Sequence, residues 1–145
     1  MRIRIVAVGK LKEAHYREAV ADYLDRLRHY AKTETVEVDD GPTPKVTGVL
    51  RKAIGERVRV VALTIDGKQR SSEELAAWIE TQASAGQDLV FVIGGADGIP
   101  DEIARSAHER LSLSRMTLPH RLARLVLVEQ LYRAMTIRKG EPYHH

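Results

Sequence analysis

The sequence predicts an α/β fold, with a mostly parallel sheet and helices on both faces. Apolar runs of strand length alternate with longer segments whose apolar residues recur at helical spacing. One run, Leu89–Ile93, is apolar at every position, which is typical of a strand buried on both faces of a parallel sheet. The 145 residues contain no internal repeat and no linker, so we expect one domain over residues 1–145.

The first half of the chain predicts two strands and two helices. The first strand covers Ile3–Val8 and ends at Gly9. A helix follows over about Leu11–Ala31, because its apolar residues have a 3-4-3-4 spacing (Tyr16, Ala19, Val20, Tyr23, Leu24, Leu27 and Tyr30). Thr35–Val38 is expected to be the second strand, and Val46–Ile54 a short basic helix after a loop of turn residues.

The middle of the chain predicts a third strand over Val58–Ile65, which the turn signal Asp66-Gly67 should end. Ser71 or Ser72 should cap the next helix, with Glu73 and Glu74 in its first turn, where negative charge suits the helix dipole. That helix is expected to reach about Ala85. Gly86 then separates it from the Leu89–Ile93 strand. After Pro100, Asp101 and Glu102 are interpreted as first-turn acids of a further helix.

The last helix, about Arg121–Arg138, carries more apolar residues than one buried stripe needs. They are Leu122, Leu125, Val126, Leu127, Val128, Leu131, Tyr132, Met135 and Ile137. A long loop could cover the surplus, but loops rarely bury so much apolar surface. A second copy of the chain is therefore the favoured partner.

Composition and charge narrow the function classes. Hydrophobic residues make up 43% and charged residues 30%, and there are no cysteines, so disulfide and thiolate chemistry are excluded. No apolar run is long enough to cross a bilayer, and the N-terminus is too strand-like for a signal peptide, so we expect a cytoplasmic protein. The formal charge of +3 lies in residues 101–145, which suits an anionic partner such as RNA but is also common on solvated surfaces.

The stretch from Leu89 to His120 is the main candidate site. Its glycine turn, Gly94–Gly98, follows a buried strand, where α/β proteins often bind ligands; a tight turn without a ligand fits the spacing equally well. The turn matches neither a dinucleotide fingerprint nor a P-loop, and the six histidines have no metal-ligand spacing, so no metal is expected. What remains is a pocket of backbone amides and carbonyls between Gly94–Gly98 and Leu113–Leu118, suited to a neutral or cationic heterocycle.

Several motifs, in order along nearly the whole chain, resemble the ribosomal RNA large subunit methyltransferase H family of the SPOUT class. They are Ile5–Lys10, Leu63–Lys68, Phe91–Gly98, Leu113–His120, Glu129–Ala134 and Pro142–His145. The resemblance implies a SPOUT-type C-terminal trefoil knot, with a knotted cofactor region over about residues 89–145, and a homodimer. Sequence pattern alone would not suggest a knot.

The family uses S-adenosylmethionine to methylate N3 of a pseudouridine in helix 69 of 23S rRNA, on the assembled ribosome. Carried over by position, the resemblance assigns the cofactor pocket to Leu63, Gly94, Leu113, Ser114, Arg115, Met116, Thr117 and Leu118. It places His120, Tyr143 and His144 near the target base, with the tail crossing to the partner's site. A neutral histidine such as His120 or His144 could accept the N3 proton, although orientation of the base could serve instead. His120 could equally form a structural hydrogen bond after Pro119.

Three departures from the family pattern stand out: Asp97 where many relatives have glutamate, Arg115 where smaller residues are frequent, and the end at His145. Phosphate contacts could come from Arg115, Arg121, Arg124, Arg133, Arg138 and Lys139, although Arg133 could serve the dimer interface. Two alternatives stay open: a ribosome-docking module without catalysis, and a SPOUT enzyme acting on another RNA base.

Overall fold

The computed structural model describes all 145 residues, with five parallel strands in one sheet and five helices around it. The strands are β1 (Arg2–Val8), β2 (Lys32–Val38), β3 (Arg59–Gln69), β4 (Leu89–Ile93) and β5 (Glu109–Ser112), in the order β2-β1-β4-β3-β5. The helices are α1 (Ala14–Leu27), α2 (Thr43–Ile54), α3 (Ser72–Ser84), α4 (Asp101–Ser106) and α5 (His120–Lys139). The predicted α/β class is confirmed.

Alternation along β1 creates two cores. Ile3 and Ile5 face α1, α3 and α5, where they share a cluster with Phe91, Leu27 and Leu131. Val6 and Val8 face the other side and pack with residues of α2 and α4, such as Leu50 and Ile103. The central strands β1 and β4 therefore carry buried residues on both faces, and for β4 the all-apolar sequence predicted this.

Helix α3 begins as predicted. Ser71 is its N-cap and accepts a hydrogen bond from the Glu74 amide at 3.0 Å, while the Glu74 carboxylate accepts one from the Ser71 amide at 2.8 Å. The bond from the Ser71 amide to the carboxylate is the main cause that lowers the pKa of Glu74. Pro44 lies in the first turn of α2, so this helix begins three residues before the predicted Val46.

The predicted end of β3 at Asp66-Gly67 is wrong, because β3 continues through both residues to Gln69. The ladder with β5 shifts register between Leu63 and Lys68. Gly67 is needed there for close approach: a β-carbon on it would lie 2.7 Å from the Arg110 carbonyl carbon. The glycine therefore marks tight strand packing and not a turn.

Three other elements differ from expectation. Strand β2 begins at Lys32, three residues before the predicted Thr35. Helix α1 is shorter than the predicted Leu11–Ala31, because residues before Ala14 form a loop and those after Leu27 a turn. Strand β5 was not predicted, since its sequence Glu-Arg-Leu-Ser shows no apolar alternation. Helix α5 matches its prediction within one residue at each end.

The parallel arrangement has one consequence for function. All five strands present their carboxyl ends at the same edge of the sheet, where the segments after β1, β3, β4 and β5 gather. None of the helices is both long and apolar enough to span a bilayer.

Candidate active site

A cavity of about 740 Å³ opens at the carboxyl edge of β3, β4 and β5. Three stretches line it: Leu63–Ile65 from β3, Ile93–Gly98 after β4, and residues of the segment that joins β5 to α5. The volume lies in the range typical of small-molecule sites. This cavity is where the glycine turn and the Leu113–Leu118 segment of the sequence prediction meet.

The glycine turn forms one wall of the cavity. The Gly98 amide donates to the Gly95 carbonyl at 3.0 Å, and Gly98 has a φ of +78°, a conformation that few other residues adopt. Gly94 has no room for a side chain, because the Gly98 backbone folds directly over it. At Gly94, Gly95 and Gly98 the wall therefore presents peptide groups without side chains to the cavity, beside the side chains of Ala96 and Asp97.

Serine hydroxyls hold the opposite wall in shape. The Ser112 hydroxyl donates to the Ser114 carbonyl at 3.0 Å, and the Met116 amide donates to the Ser114 hydroxyl at 2.9 Å. These bonds curl the chain after β5, so that Leu113, Thr117 and Leu118 border the cavity. The segment is thus a fixed loop at the end of an edge strand.

Two features of the lining indicate that another molecule completes this cavity. The buried hydroxyl oxygen of Thr64 has no hydrogen-bond partner. Ile65 and Met116 are 62% and 77% exposed, and they are two of only three large apolar side chains exposed in the chain. Unsatisfied polar atoms and exposed apolar groups at one cavity suit an amphipathic ligand.

His120 also lines the cavity, at the first residue of α5. Its half-buried side chain makes no hydrogen bond within the chain. It therefore does not cap the loop after Pro119, which was the structural alternative for this residue. His108 provides a contrast, because its Nδ1 accepts a hydrogen bond from the Val60 amide at 3.0 Å. The His120 imidazole is free to bond to a ligand.

Seven of the eight residues predicted to hold a cofactor border this cavity, namely Leu63, Gly94, Leu113, Ser114, Met116, Thr117 and Leu118. Arg115 is the exception, since it is exposed and points away from the lining. Sequence reasoning did not name Thr64, Pro119 or Ala123, which also line the cavity. Thr64 lies inside the Leu63–Lys68 motif, so the signal for it was present.

The C-terminal tail, which carries Tyr143 and His144, lies away from the cavity of its own chain. The Tyr143 hydroxyl donates to a Glu129 carboxylate oxygen at 2.8 Å, and its ring meets Tyr132 edge-on with centroids 4.6 Å apart. Burial and the bond to Glu129 raise the pKa of Tyr143. Glu129 is about 14 Å along α5 from His120, so Tyr143 does not border its own cavity.

His144 bridges α5 and α3. Its Nδ1 lies 3.1 Å from a guanidinium nitrogen of Arg133, and its Nε2 pairs with the Glu73 carboxylate. Because a guanidinium only donates, Nδ1 must accept, and Nε2–H then donates to Glu73. This contact lowers the pKa of Glu73. His144 is therefore held by both neighbours, away from the cavity of its own chain.

Most of the basic residues proposed for phosphate contacts are already paired with carboxylates. The pairs are Arg121–Glu13, Arg124–Glu37, Arg133–Glu129 and Arg138–Glu80, at 3.6, 2.7, 2.8 and 2.7 Å. Arg115 and Lys139 form no ion pair and are exposed. The basic character of the last third is thus largely neutralised locally.

The structure contains no group of three or more histidine, cysteine, aspartate or glutamate side chains that could hold a metal ion.

Comparison with known proteins identifies relatives of this chain. A family model described as "Predicted SPOUT methyltransferase" matches residues 1–144. A protein of Sorangium cellulosum named ribosomal RNA large subunit methyltransferase H is 47% identical, and the match covers 100% of both chains. A protein of the same name from Bacillus thuringiensis is 44% identical, with 99% of each chain covered.

Solved structures show the same fold at low sequence identity. A probable methylase family protein from Haemophilus influenzae superposes with a TM-score of 0.61 at 14% identity, over 99% of this chain and 70% of the other. A probable methyltransferase from Bordetella pertussis gives 0.60 at 15% identity, over 92% and 94%. These two likenesses concern the fold alone.

Proposed function

This chain belongs to the SPOUT methyltransferase family, and on that premise we propose that it methylates 23S ribosomal RNA with S-adenosylmethionine as the methyl donor. The name of its relatives at 44–47% identity supports an RNA of the large ribosomal subunit as substrate. The finer proposal is that the methyl group goes to N3 of a pseudouridine in helix 69, on the assembled ribosome.

The observation that carries this proposal is the cavity at the carboxyl edge of the sheet. Its volume of about 740 Å³ accommodates a nucleoside-sized ligand. The peptide groups of the three glycines in Gly94–Gly98 suit an adenine edge and a ribose, and apolar side chains such as Leu63 and Leu118 suit the faces of a heterocycle. The partnerless Thr64 hydroxyl offers one further hydrogen bond. The residues present therefore fit the proposed donor.

When bound, S-adenosylmethionine supplies a methyl group on a positively charged sulfonium, which is already a strong electrophile. The task of the protein is then to align the two reactants and to exclude water. The fixed walls at Gly94–Gly98 and Ser112–Met116 serve alignment, because hydrogen bonds hold both in shape. Met116 and Ile65, exposed at the cavity, would exclude water once covered by substrate or by a partner chain.

His120 is the proposed proton acceptor. N3 of the uracil ring carries a proton that must leave when the nitrogen forms a bond to the methyl carbon. An imidazole without an internal hydrogen bond, at the edge of the cavity, can accept that proton and later release it to water. A neutral histidine is the side chain suited to this role near neutral pH.

We further propose that the enzyme is a homodimer with the knotted topology of its family. Tyr143 and His144 cannot serve the cavity of their own chain while they pack on α5. Partly exposed apolar residues of α5, such as Leu122 and Val126, offer a surface for a second copy. In such a dimer the tail of one copy would lie against the cavity of the other.

The test is methyl transfer from labelled S-adenosylmethionine to ribosomes that lack the modification. Two ribosome preparations, with uridine or with pseudouridine at the target position of helix 69, should be compared. We expect label on the pseudouridine only. Cofactor binding without transfer to either preparation would assign another RNA substrate. No cofactor binding by calorimetry would overturn the enzyme assignment and favour a docking module.

A further inference from the structure

A second groove of about 580 Å³ lies between α1, β2 and the first half of α5. Helix α1 forms one wall, the edge strand β2 forms another, and the loop after β1 closes the end. We call it the basic groove. The polar residues that define it are Lys10, Lys12, Arg17, Thr35, Glu37 and Arg124.

The basic groove concentrates positive charge. Its lining contains four basic side chains and one carboxylate, so its formal surplus of three equals that of the whole chain. Lys10 and Lys12 are exposed and form no ion pair. The groove is thus a local concentration of positive charge, with two of its lysines available to a partner.

Arg124 forms the floor of this groove. It is only 7% exposed, and one guanidinium nitrogen lies 2.7 Å from a carboxylate oxygen of Glu37. Its Nε is buried without a hydrogen-bond partner, as is the hydroxyl oxygen of Thr35 in the same groove. Leaving such atoms unpaired is unfavourable, because they have lost their hydrogen bonds to water without a replacement. An anionic oxygen is the acceptor that the arginine lacks.

The loop that carries the two lysines of the groove is held in position by Arg17. Arg17 of α1 donates from one guanidinium nitrogen to the backbone carbonyls of Leu11 and Lys12. This clamp fixes the loop that carries Lys10 and Lys12 beside Arg124. The backbone from which Lys10 and Lys12 extend is therefore fixed, and this segment needs no ordering when an anion binds.

The basic groove lies next to the cavity. Ala123 lines the cavity and the following residue, Arg124, lines the groove. Strand β1 alone separates β2 from β4, so the two strand ends are roughly 10 Å apart. An RNA strand with a base at the cavity can therefore reach the groove with a nearby phosphate.

From these contacts we infer that the basic groove binds a backbone phosphate of the RNA strand whose base enters the cavity. The inference rests on the proposed function, which supplies the RNA as the partner. It adds an RNA-binding site that neither the cavity nor the tail provides. Phosphate contacts position an RNA without reading its sequence. The groove would thus set the register of the strand relative to the cavity.

The test compares wild-type protein with Lys10→Gln/Lys12→Gln. The matched control is Lys32→Gln/Lys52→Gln, which removes two exposed lysines without ion pairs outside the groove. Binding to ribosomes is measured over a series of KCl concentrations, and S-adenosylmethionine binding is measured by calorimetry. Inorganic phosphate is titrated separately by NMR.

We expect the groove variant to bind ribosomes about 30-fold more weakly at 0.1 M salt, with a salt slope smaller by about 1.5. The control should stay within about twofold of wild type on the same scale. Cofactor binding should be equal in all three proteins. Equal salt slopes for the groove variant and the control would overturn the inference. Loss of inorganic phosphate binding with unchanged ribosome binding would assign the groove to a free anion and overturn it too.

The same data separate this inference from the proposed function. If wild type binds ribosomes but transfers no methyl group, the proposed function fails. The salt slopes then still show whether the basic groove binds a phosphate of the RNA. If wild type does not bind ribosomes at any salt concentration, the groove inference is overturned.

Discussion

The hydroxyl of Tyr30, just beyond α1, donates a hydrogen bond of 2.6 Å to the carboxylate of Glu141, just beyond α5. This bond raises the pKa of Tyr30 to about 12, with burial as the second cause. Gly140 lies between α5 and Glu141 in the left-handed conformation, with a φ of +68°, which turns the chain back toward Tyr30. The tail that carries Tyr143 thus starts from a fixed point.

Tyr30 should make the attachment of the tail sensitive to alkaline pH. A tyrosine whose folded pKa is raised stabilises the fold at pH values below its ordinary pKa of 10, and this contribution is lost as the pH rises through about 12. Absorbance titration of tyrosinate should show a transition near pH 12 that is absent in Tyr30→Phe. Tyr16→Phe is the control and should retain it. Retention of the transition in Tyr30→Phe would contradict the assignment.

Gly94→Ala should abolish cofactor binding with little effect on folding. A β-carbon at position 94 would lie 2.3 Å from the Gly98 carbonyl carbon, so the turn that forms one wall of the cavity must move. We expect calorimetry to detect no S-adenosylmethionine binding, which corresponds to a loss of affinity of at least about 100-fold, or ~2.8 kcal/mol. Gly48→Ala on α2, where a β-carbon has open space, should bind the cofactor normally. Equal affinity of both variants would mean that the cofactor binds elsewhere.

His120→Ala should slow methyl transfer while leaving cofactor binding intact. Loss of a general base typically lowers the rate by about 10²–10⁴-fold. Single-turnover transfer to ribosomes, followed from about pH 6 to 9, should give a lower rate for His120→Ala than for wild type at every pH. The exposed His29→Ala variant should keep the wild-type rate and profile. An unchanged rate in His120→Ala would leave orientation of the base as the remaining explanation.

Complementation in mixed dimers tests whether the tail works in the partner's cavity. Gly94→Ala removes the cofactor wall, and a second variant carries Tyr143→Ala with His144→Ala. Each homodimer should be inactive. If the tail acts in trans, one cavity of each mixed dimer is complete, and random mixing should restore roughly a quarter of wild-type activity. If the mixture stays inactive although mass spectrometry shows mixed dimers, the tail acts within its own chain.

Gly67→Ala should destabilise the β3–β5 ladder. The added β-carbon would lie 2.7–2.8 Å from backbone atoms of Arg110 and Leu111. Overpacking of this kind typically lowers the free energy of unfolding by about 1–3 kcal/mol. Urea denaturation should detect the loss. Gly41→Ala, where the nearest atom is a flexible Lys45 side chain at 3.8 Å, is the control. Equal stability of both variants would show that β3 and β5 accommodate the added β-carbon with no loss in the free energy of unfolding.

The elements that sequence predicted best are those whose local signals agree with their burial. Leu89–Ile93 is apolar throughout and lies in the centre of the sheet. Ser71 and Glu74 combine a cap with helix-favouring charge, and both bonds of the capping box form. The structure at such positions is determined by the few residues around them, so it could be predicted without knowledge of the rest of the chain.

The errors arise where contacts distant in sequence decide the structure. Asp66-Gly67 has the composition of a turn, yet the approach of Arg110 and Leu111 keeps it in β3. Strand β5 exists because β3 offers it a ladder, since its own sequence has little strand character. Counting charges along the sequence also pointed to the wrong segment for the basic surface. Three of the four basic residues of the basic groove come from residues 10–17, and only one comes from the last third of the chain.

The strand order also determines when this protein can fold during its synthesis. Strand β1 pairs with β2, which follows it closely, and with β4, which is translated more than 80 residues later. At roughly 5–20 residues per second, β1 waits several seconds for its second neighbour. The cavity needs β5 and the first turn of α5, which come later still. A nascent chain therefore cannot bind its cofactor until nearly all of it has left the ribosome that makes it.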